Sequence, residues 1–448
     1  MLFPPDGLPM MHCSIRIRRR LSVLGSVMAG AFSTLGNAVA MVALPWFVLE
    51  LTGSPLWTGI AAAAGVLPMI AGSLFGGGLV DRFGRRWIAF AGDFTSALAV
   101  AAVPLLYHLD MLGIGTLVVL IAVGVAMDGP ASIAAESRHP ELARLAGFRL
   151  ERVKAVDELI ESAGVLVGPA LAGVMIALVG VEDTLWLTAG CSLAAAVLDV
   201  VSLPTRRKSD GAKQVAIGIA GAMEAIRFLL RDPLLRSLIM LGTLFGIIFG
   251  ALEAVVMPAF FKATGQSAMS LGLFLSATGG GAIVGTLAYA AWGHRLSGRG
   301  ILMFGCAVEA LAILALAFAP PVSVLIAAGA VAGFATGPIG PIVATAALRR
   351  VPVKLRGRVL GAADALELSA IPLAIVLAGG AVEIFGAQRL LFGCAAALAA
   401  TTLLAVFLPG LRQLDIRRTG IAASSSAGDD VVSAKEQAPG RAPCAEPQ

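Results

Sequence analysis

Twelve apolar runs, each about as long as a bilayer is thick, leave this chain few ways to fold. They cover residues 21–49, 56–80, 87–107, 112–135, 153–179, 184–203, 234–261, 269–292, 300–319, 322–348, 359–385 and 390–408. A membrane span needs roughly 20 mostly apolar residues. Lipid offers no partner to a backbone N–H or C=O, so each run must satisfy its own polar groups, and an α-helix does that. Strands of a membrane barrel would alternate with period two over about ten residues, and these runs do not. Composition points the same way: 58% of residues are hydrophobic and 14% charged, where a soluble domain carries about a quarter charged residues. The expected fold class is an all-α integral membrane protein with 12 transmembrane helices.

The formal charge of +5 would suit a nucleic-acid partner if the basic residues formed one patch, but they are spread along the chain. With the N-terminus placed in the cytoplasm, all but two of the 33 Lys and Arg fall in cytoplasmic segments or at their helix ends, the exceptions being Lys262 and Arg389. That is the positive-inside bias. It predicts both termini in the cytoplasm of a bacterial inner-membrane protein and no nucleic-acid partner. Arg18-Arg19-Arg20, an apolar stretch and Ala38-Val39-Ala40 resemble a cleavable leader. The run continues to Leu49, too long for such a segment, so it is read as the first span, with Met10 and Met11 as further candidate starts.

The spans divide six and six. The expected organisation is a cytoplasmic segment 1–20, a six-helix bundle 21–203, a cytoplasmic linker 204–233, a second bundle 234–409 and a disordered tail 410–448. The linker opens with charged Arg206-Arg207-Lys208. It continues with Val215, Ile219, Ala222, Ile226 and Leu229 on one helical face, as in a helix lying in the membrane interface. The two bundles repeat each other. A shift of 213 pairs Pro45 with Pro258, Gly59 with Gly272 and Gly72 with Gly285; one of 208 pairs Gly129-Pro130 with Gly337-Pro338; one of 207 pairs Asp157 with Asp364.

Between the second and third runs lies Gly77-Gly-Leu-Val-Asp81-Arg82-Phe-Gly84-Arg85-Arg86, with four charges in six residues. This loop resembles the signature G-x-L-x-D-R-x-G-R-R/K of the major facilitator superfamily. The resemblance implies two pseudo-symmetric six-helix bundles with a binding site between them. It also implies a conformational latch: Asp81 facing the start of the eleventh helix, Arg85 organising it, and Glu136 as the acid at the end of the fourth. A carboxylate at a helix N-terminus gains about 0.3–1 kcal/mol from the free N–H groups and the dipole. The plainer reading, that the three Arg only fix orientation, leaves the Asp unexplained.

The fifth run holds Gly164-Val-Leu-Val-Gly168-Pro169-Ala-Leu-Ala172-Gly173. It resembles the family's antiporter motif G-x-x-x-G-P-x-x-G-G, with Ala172 in place of one Gly, and implies export. Gly164 and Gly168 share a face and permit close helix approach, Pro169 can bend the helix, and such a surface suits sliding between halves. Ala91-Gly92-Asp93 and the stretch from Pro140 to Asp157 are similar to the multidrug and siderophore exporters related to the enterobactin exporter. Many of those relatives carry an acid in the first helix where this chain has Asn37, which becomes a substrate-cavity candidate.

An ionisable residue within a span is costly and a functional candidate by default. Asp128, Glu161, Glu253 and Asp157 are therefore proton-coupling candidates, with Asp364 and Glu367 near-counterparts on the eleventh helix. Asp157 has the alternative of pairing with Lys154 or Arg152. Asp93, Asp199 and Glu383 are expected to be paired or snorkelling, and mid-span Glu309 has no evident role. No phosphate-binding loop, metal spacing or catalytic constellation is present, and the five cysteines are isolated from one another. The expectation is a non-enzymatic, monomeric exporter without cofactor or metal, moving an amphipathic small-molecule substrate out against protons. The alternatives are an uptake symporter for a small metabolite and a non-transporting receptor or scaffold.

Overall fold

The computed structural model describes residues 8–202, 219–352 and 355–414. Of the expected tail 410–448, residues 415–448 lie outside them, as does the charged opening of the linker, while Gly410 and Leu411 are buried in a helical turn, Pro409–Arg412. Twelve helices are long and apolar enough to cross a membrane: α1 (Leu8–Thr52), α2 (Pro55–Phe83), α3 (Arg85–His108), α4 (Ile114–Glu136), α5 (Leu150–Val179), α6 (Val181–Ser202), α7 (Pro233–Ala263), α8 (Ala268–Trp292), α9 (Gly298–Ala317), α10 (Val322–Arg350), α11 (Arg358–Phe385) and α12 (Ala387–Phe407). A short helix, His139–Ala146, follows α4, and a linker helix, Ile219–Arg231, precedes α7. Among the described residues there is no strand.

Proline explains the interruptions. Pro130 has no N–H, and its ring displaces the carbonyl four residues back, that of Ala126. Helix α4 accordingly breaks there into Ile114–Val125 and Asp128–Glu136. Helix α10 breaks at the repeat-related Gly337-Pro338, between Val322–Thr336 and Ile339–Arg350. In α7 the ring of Pro258 meets the turn before it, and Leu252–Val256 widens into a π turn in which the Met257 N–H reaches Leu252 O.

The signature loop is as short as its composition suggests. Only Gly84 separates α2 from α3, at φ 86° and ψ 151°, a region essentially closed to other residues. Gly180 between α5 and α6 and Gly386 between α11 and α12 adopt nearly the same conformation. They lie 206 residues apart (386 − 180 = 206) and so extend the internal repeat.

Lipid tails are as apolar as leucine, so these helices associate through close packing of small residues and not by escaping water. Between the halves that packing forms two seams. On one, a Cβ at Gly59 of α2 would lie 2.8 Å from Ile375 O of α11, and one at Gly379 would lie 2.7 Å from Pro55 O. On the other, a Cβ at Gly272 of α8 would strike Pro169 O of α5, and one at Gly173 would lie 2.7 Å from Met269 Cα. Gly59 and Gly272 are partners under the 213 shift, and Gly173 and Gly379 are 206 apart (379 − 173 = 206). The repeat therefore builds the same contact twice.

Both seams lie toward the end of the bundles away from the linker. Trp46, Phe47, Phe260, Phe261 and Leu271 close that end in one buried cluster spanning both halves. There Lys262 Nζ of α7 donates to Leu49 O near the end of α1, at 2.8 Å. A cation on the last carbonyls of a helix is favoured by its dipole, which accounts for one of the two basic residues outside the charge bias. Ser54 Oγ donates to Glu383 Oε2 at 3.0 Å nearby. At the linker end, nothing lies within 4 Å of a Cβ placed on Gly78 of α2 or Gly361 of α11. The close glycine packing of the far end is not continued at these two positions.

Candidate functional site

The residues that the sequence marks as latch candidates, and the coupling candidates Asp157 and Glu161, gather toward the linker end of the bundles. Asp81 is exposed there. Arg85, at the start of α3, reaches Glu141 Oε2 on the short helix at 3.8 Å. Glu136 is exposed at the end of α4 and interacts electrostatically with Asp364 of α11 in the other half, and with Glu161 of α5. Asp157 Oδ2 lies 3.2 Å from His139 Nε2, a partner 18 residues back (157 − 139 = 18) and not the nearby Lys154 or Arg152. His139 is buried, and its Nδ1 has no partner.

The motif on α5 divides between two neighbours. Gly164 and Gly168 do not face the opposite half. A Cβ on Gly164 would strike Thr34, and one on Gly168 would strike Ala38, both on α1 of the same bundle. The seam between halves is made instead by Pro169 and Gly173. Beside Pro169, where the internal hydrogen-bond ladder is interrupted, the Ala170 N–H is received by Ser276 Oγ of α8 at 2.9 Å. The face of α5 that meets the other half is therefore about 140° around the helix from the one that the Gly164–Gly168 spacing marks, at about 100° per residue.

Asp128 starts the second segment of α4, directly after the break. Helix α3 packs closely here, since a Cβ on Gly92 would lie 2.6 Å from Ala131 Cβ. That closeness brings Asp93 of α3 within electrostatic reach of Asp128. Ser33 of α1 donates its hydroxyl to Asp93 Oδ1 at 2.8 Å. Below them, Arg138 and Asp199 form a buried ion pair at 2.7 Å that ties the end of α4 to α6. One bundle thus carries a chain of polar side chains, from Asp128 through Asp93 to Ser33 and the ion pair.

The other bundle holds its own acid pair. Glu253 sits on the π turn of α7, and π turns recur at functional sites. It lines a small cavity together with Thr278 of α8 and Glu309 of α9, which is 4% exposed. Glu309, which has no evident role in the sequence, is the electrostatic neighbour of Glu253. Glu367 of α11 lies against α7, where a Cβ on Gly242 would sit 2.5 Å from Glu367 Oε1. Asn37 is exposed on α1, between Gly36, which packs on α6, and Ala38, which packs on α5. Among the described residues no group of three or more metal-ligating side chains converges.

Comparison with known proteins places this geometry. A profile of the Major Facilitator Superfamily matches residues 27–374. The chain is 34% identical over 402 residues to the multidrug efflux pump Tap of Mycolicibacterium fortuitum, covering 88% of this chain and 97% of that protein. It is 35% identical over 401 residues to the pump of the same name from Mycobacterium tuberculosis H37Rv, covering 88% and 94%. Similarity to the enterobactin exporter EntS of Citrobacter koseri is 25% over 272 residues, covering 58% and 61%. Among solved structures, the fold matches the nucleoside transporter NupG with a TM-score of 0.71 at 11% identity, over 86% of this chain and 98% of that one.

Proposed function

Because the chain belongs to the major facilitator superfamily, a family of transporters and not enzymes, we propose that it is a secondary active exporter. It moves amphipathic organic compounds, drug- or siderophore-like, out of the bacterial cytoplasm in exchange for protons, by alternating access. The observation that carries this reading is the near full-length similarity to efflux pumps at 34–35% identity. The α5–α8 seam supports it, because Pro169 and Gly173 of the antiporter-like motif form a contact that must part when the far end opens. In this reading the far end, closed by its buried aromatic cluster and the two seams, faces outward, and the linker end faces the cytoplasm.

Drug accumulation in cells with and without the gene tests the direction of transport. Cells lacking the protein should accumulate more of its substrate; lower accumulation would assign uptake instead. Orientation follows from the charge bias. A reporter fused after Lys208 or Gln413 should be cytoplasmic, and one near Asp110 or Glu182 external. External labelling of a cysteine engineered at Ser209 would reverse the topology.

The latch supplies a further expected result. Asp81 is exposed in this arrangement, and in this reading it would meet the start of α11 in the outward-open state. Asp81→Asn should leave insertion and abundance unchanged. It should lower transport about two- to fivefold, the effect of losing a helix-terminus carboxylate from one state only. Wild-type transport by a well-expressed variant would reduce the loop to an orientation signal.

A further inference from the structure

Away from the transport path, the linker helix and the start of α11 enclose a cavity of about 320 Å³. Its walls carry Arg227 and Arg231 from the linker helix, Arg358 from α11 and a single acid, Glu224. The excess of two positive charges is built in at close quarters. Arg227 and Arg231 are one turn apart on the same helix, a spacing at which like charges destabilise each other. Glu224 does not cancel this, since it is largely exposed and reaches only Arg358, at 3.9 Å. The floor is apolar: Phe228 and Val359 line it, and Val359 is 1% exposed. Ala225 and Leu229 seat the linker helix against Leu235, Val351 and Val359, so the Arg-bearing wall is held in place by the bundle.

Position selects among anions. Arg358 lies in the first turn of its helix, directly before the apolar run that starts at Val359, so the cavity lies where hydrocarbon meets headgroups. A basic rim over an apolar floor at that depth matches a phosphodiester attached to a glycerol and acyl chains. Basic pockets between membrane helices recognise such groups. Beyond the export reading, and independent of it, we propose that this cavity binds the headgroup of an anionic phospholipid from the leaflet on the linker side. The three guanidiniums hold the phosphate, and Phe228 and Val359 meet the start of the chains. The lipid would then bridge the linker helix to α11, whose other end forms a seam between the halves.

The test uses the full-length chain in detergent, titrated with dioleoylphosphatidylglycerol or dioleoylphosphatidylcholine and read by native mass spectrometry. The wild type should retain the anionic lipid preferentially. Each Arg replaced should weaken that retention about fivefold, so Arg227→Gln with Arg231→Gln should remove the preference. Arg358→Gln, on the opposite wall, gives a separate reading that does not depend on the linker helix. Inorganic phosphate at millimolar concentration should not displace the lipid. Equal retention of phosphatidylglycerol by the wild type, the double variant and Arg358→Gln would overturn the proposal. Displacement of the lipid by inorganic phosphate would also overturn it, assigning the site to a soluble anion.

Discussion

Asp128→Asn is expected to abolish uphill export while leaving the protein folded and downhill movement of substrate intact. An amide keeps the shape and hydrogen bonding of the carboxyl but cannot carry a proton. The effect on folding has a definite sign. Asp128 and Asp93 lie within electrostatic reach of each other, and two carboxylates sharing a site disfavour joint ionisation. Removing one leaves thermal stability unchanged or raised. Transport into inverted vesicles under an imposed proton gradient should fall by about tenfold or more, equivalent to at least 1.4 kcal/mol of lost coupling. The remaining flux should lose its dependence on that gradient. If Asp128→Asn still concentrates substrate with ordinary proton dependence, coupling lies with the other pair, and Glu253→Gln should then show the loss.

The second large effect belongs to Gly272→Val. The added Cβ would strike Pro169 O and lie 3.2 Å from the Gly173 N. Both obstacles are backbone, so α5 and α8 must separate. Overpacking of this kind costs typically 1–3 kcal/mol, and about 1.4 kcal/mol changes a population tenfold. In the proposed cycle the cost falls only on the state with the far end closed, where the contact exists. Gly272→Val should therefore be well expressed, and spin-label distances across the far end should lengthen. Cells should accumulate substrate as if the transporter were absent. Gly168→Leu makes the control. Its obstacle is Ala38 of the same bundle, so it should lower abundance and thermal stability in every state without lengthening those distances. Equal behaviour of the two variants would dissolve the distinction between seam and bundle.

The sequence carried the spans well and their neighbours poorly. Twelve apolar runs match twelve helices because lipid forces the backbone to bond within each run. The breaks were legible too, since proline acts on its own helix: Gly129-Pro130 marks the interruption of α4 before any partner is known. Side-chain partnerships were not. A helix that is apolar on all sides gives no periodic stripe to say which face meets which neighbour. Gly164 and Gly168 read as a sliding surface, yet their face meets α1, and only Pro169 and Gly173 reach the other half. Asp199 was expected to be paired, but nothing in the sequence named Arg138, which is 61 residues away. Asp93 looked peripheral because its distance to Asp128 depends on how α3 lies against α4. Glu309 lacked a role because its partner stands on a π turn that sequence periodicity does not reveal.

The paired glycine seams bear on how the passage can open. Equivalent hinges on opposite sides give the motion no preferred flank. In the alternating access proposed above, the halves would turn about a line through their common centre, and both seams would let go together. A compound between them would then see both walls recede at once and leave through a mouth that widens symmetrically, not through a slit along one edge. A partial opening on one side would give water and ions a continuous thread past the cargo. With matched seams, each resists parting for as long as the other holds, so a lateral leak requires both to yield.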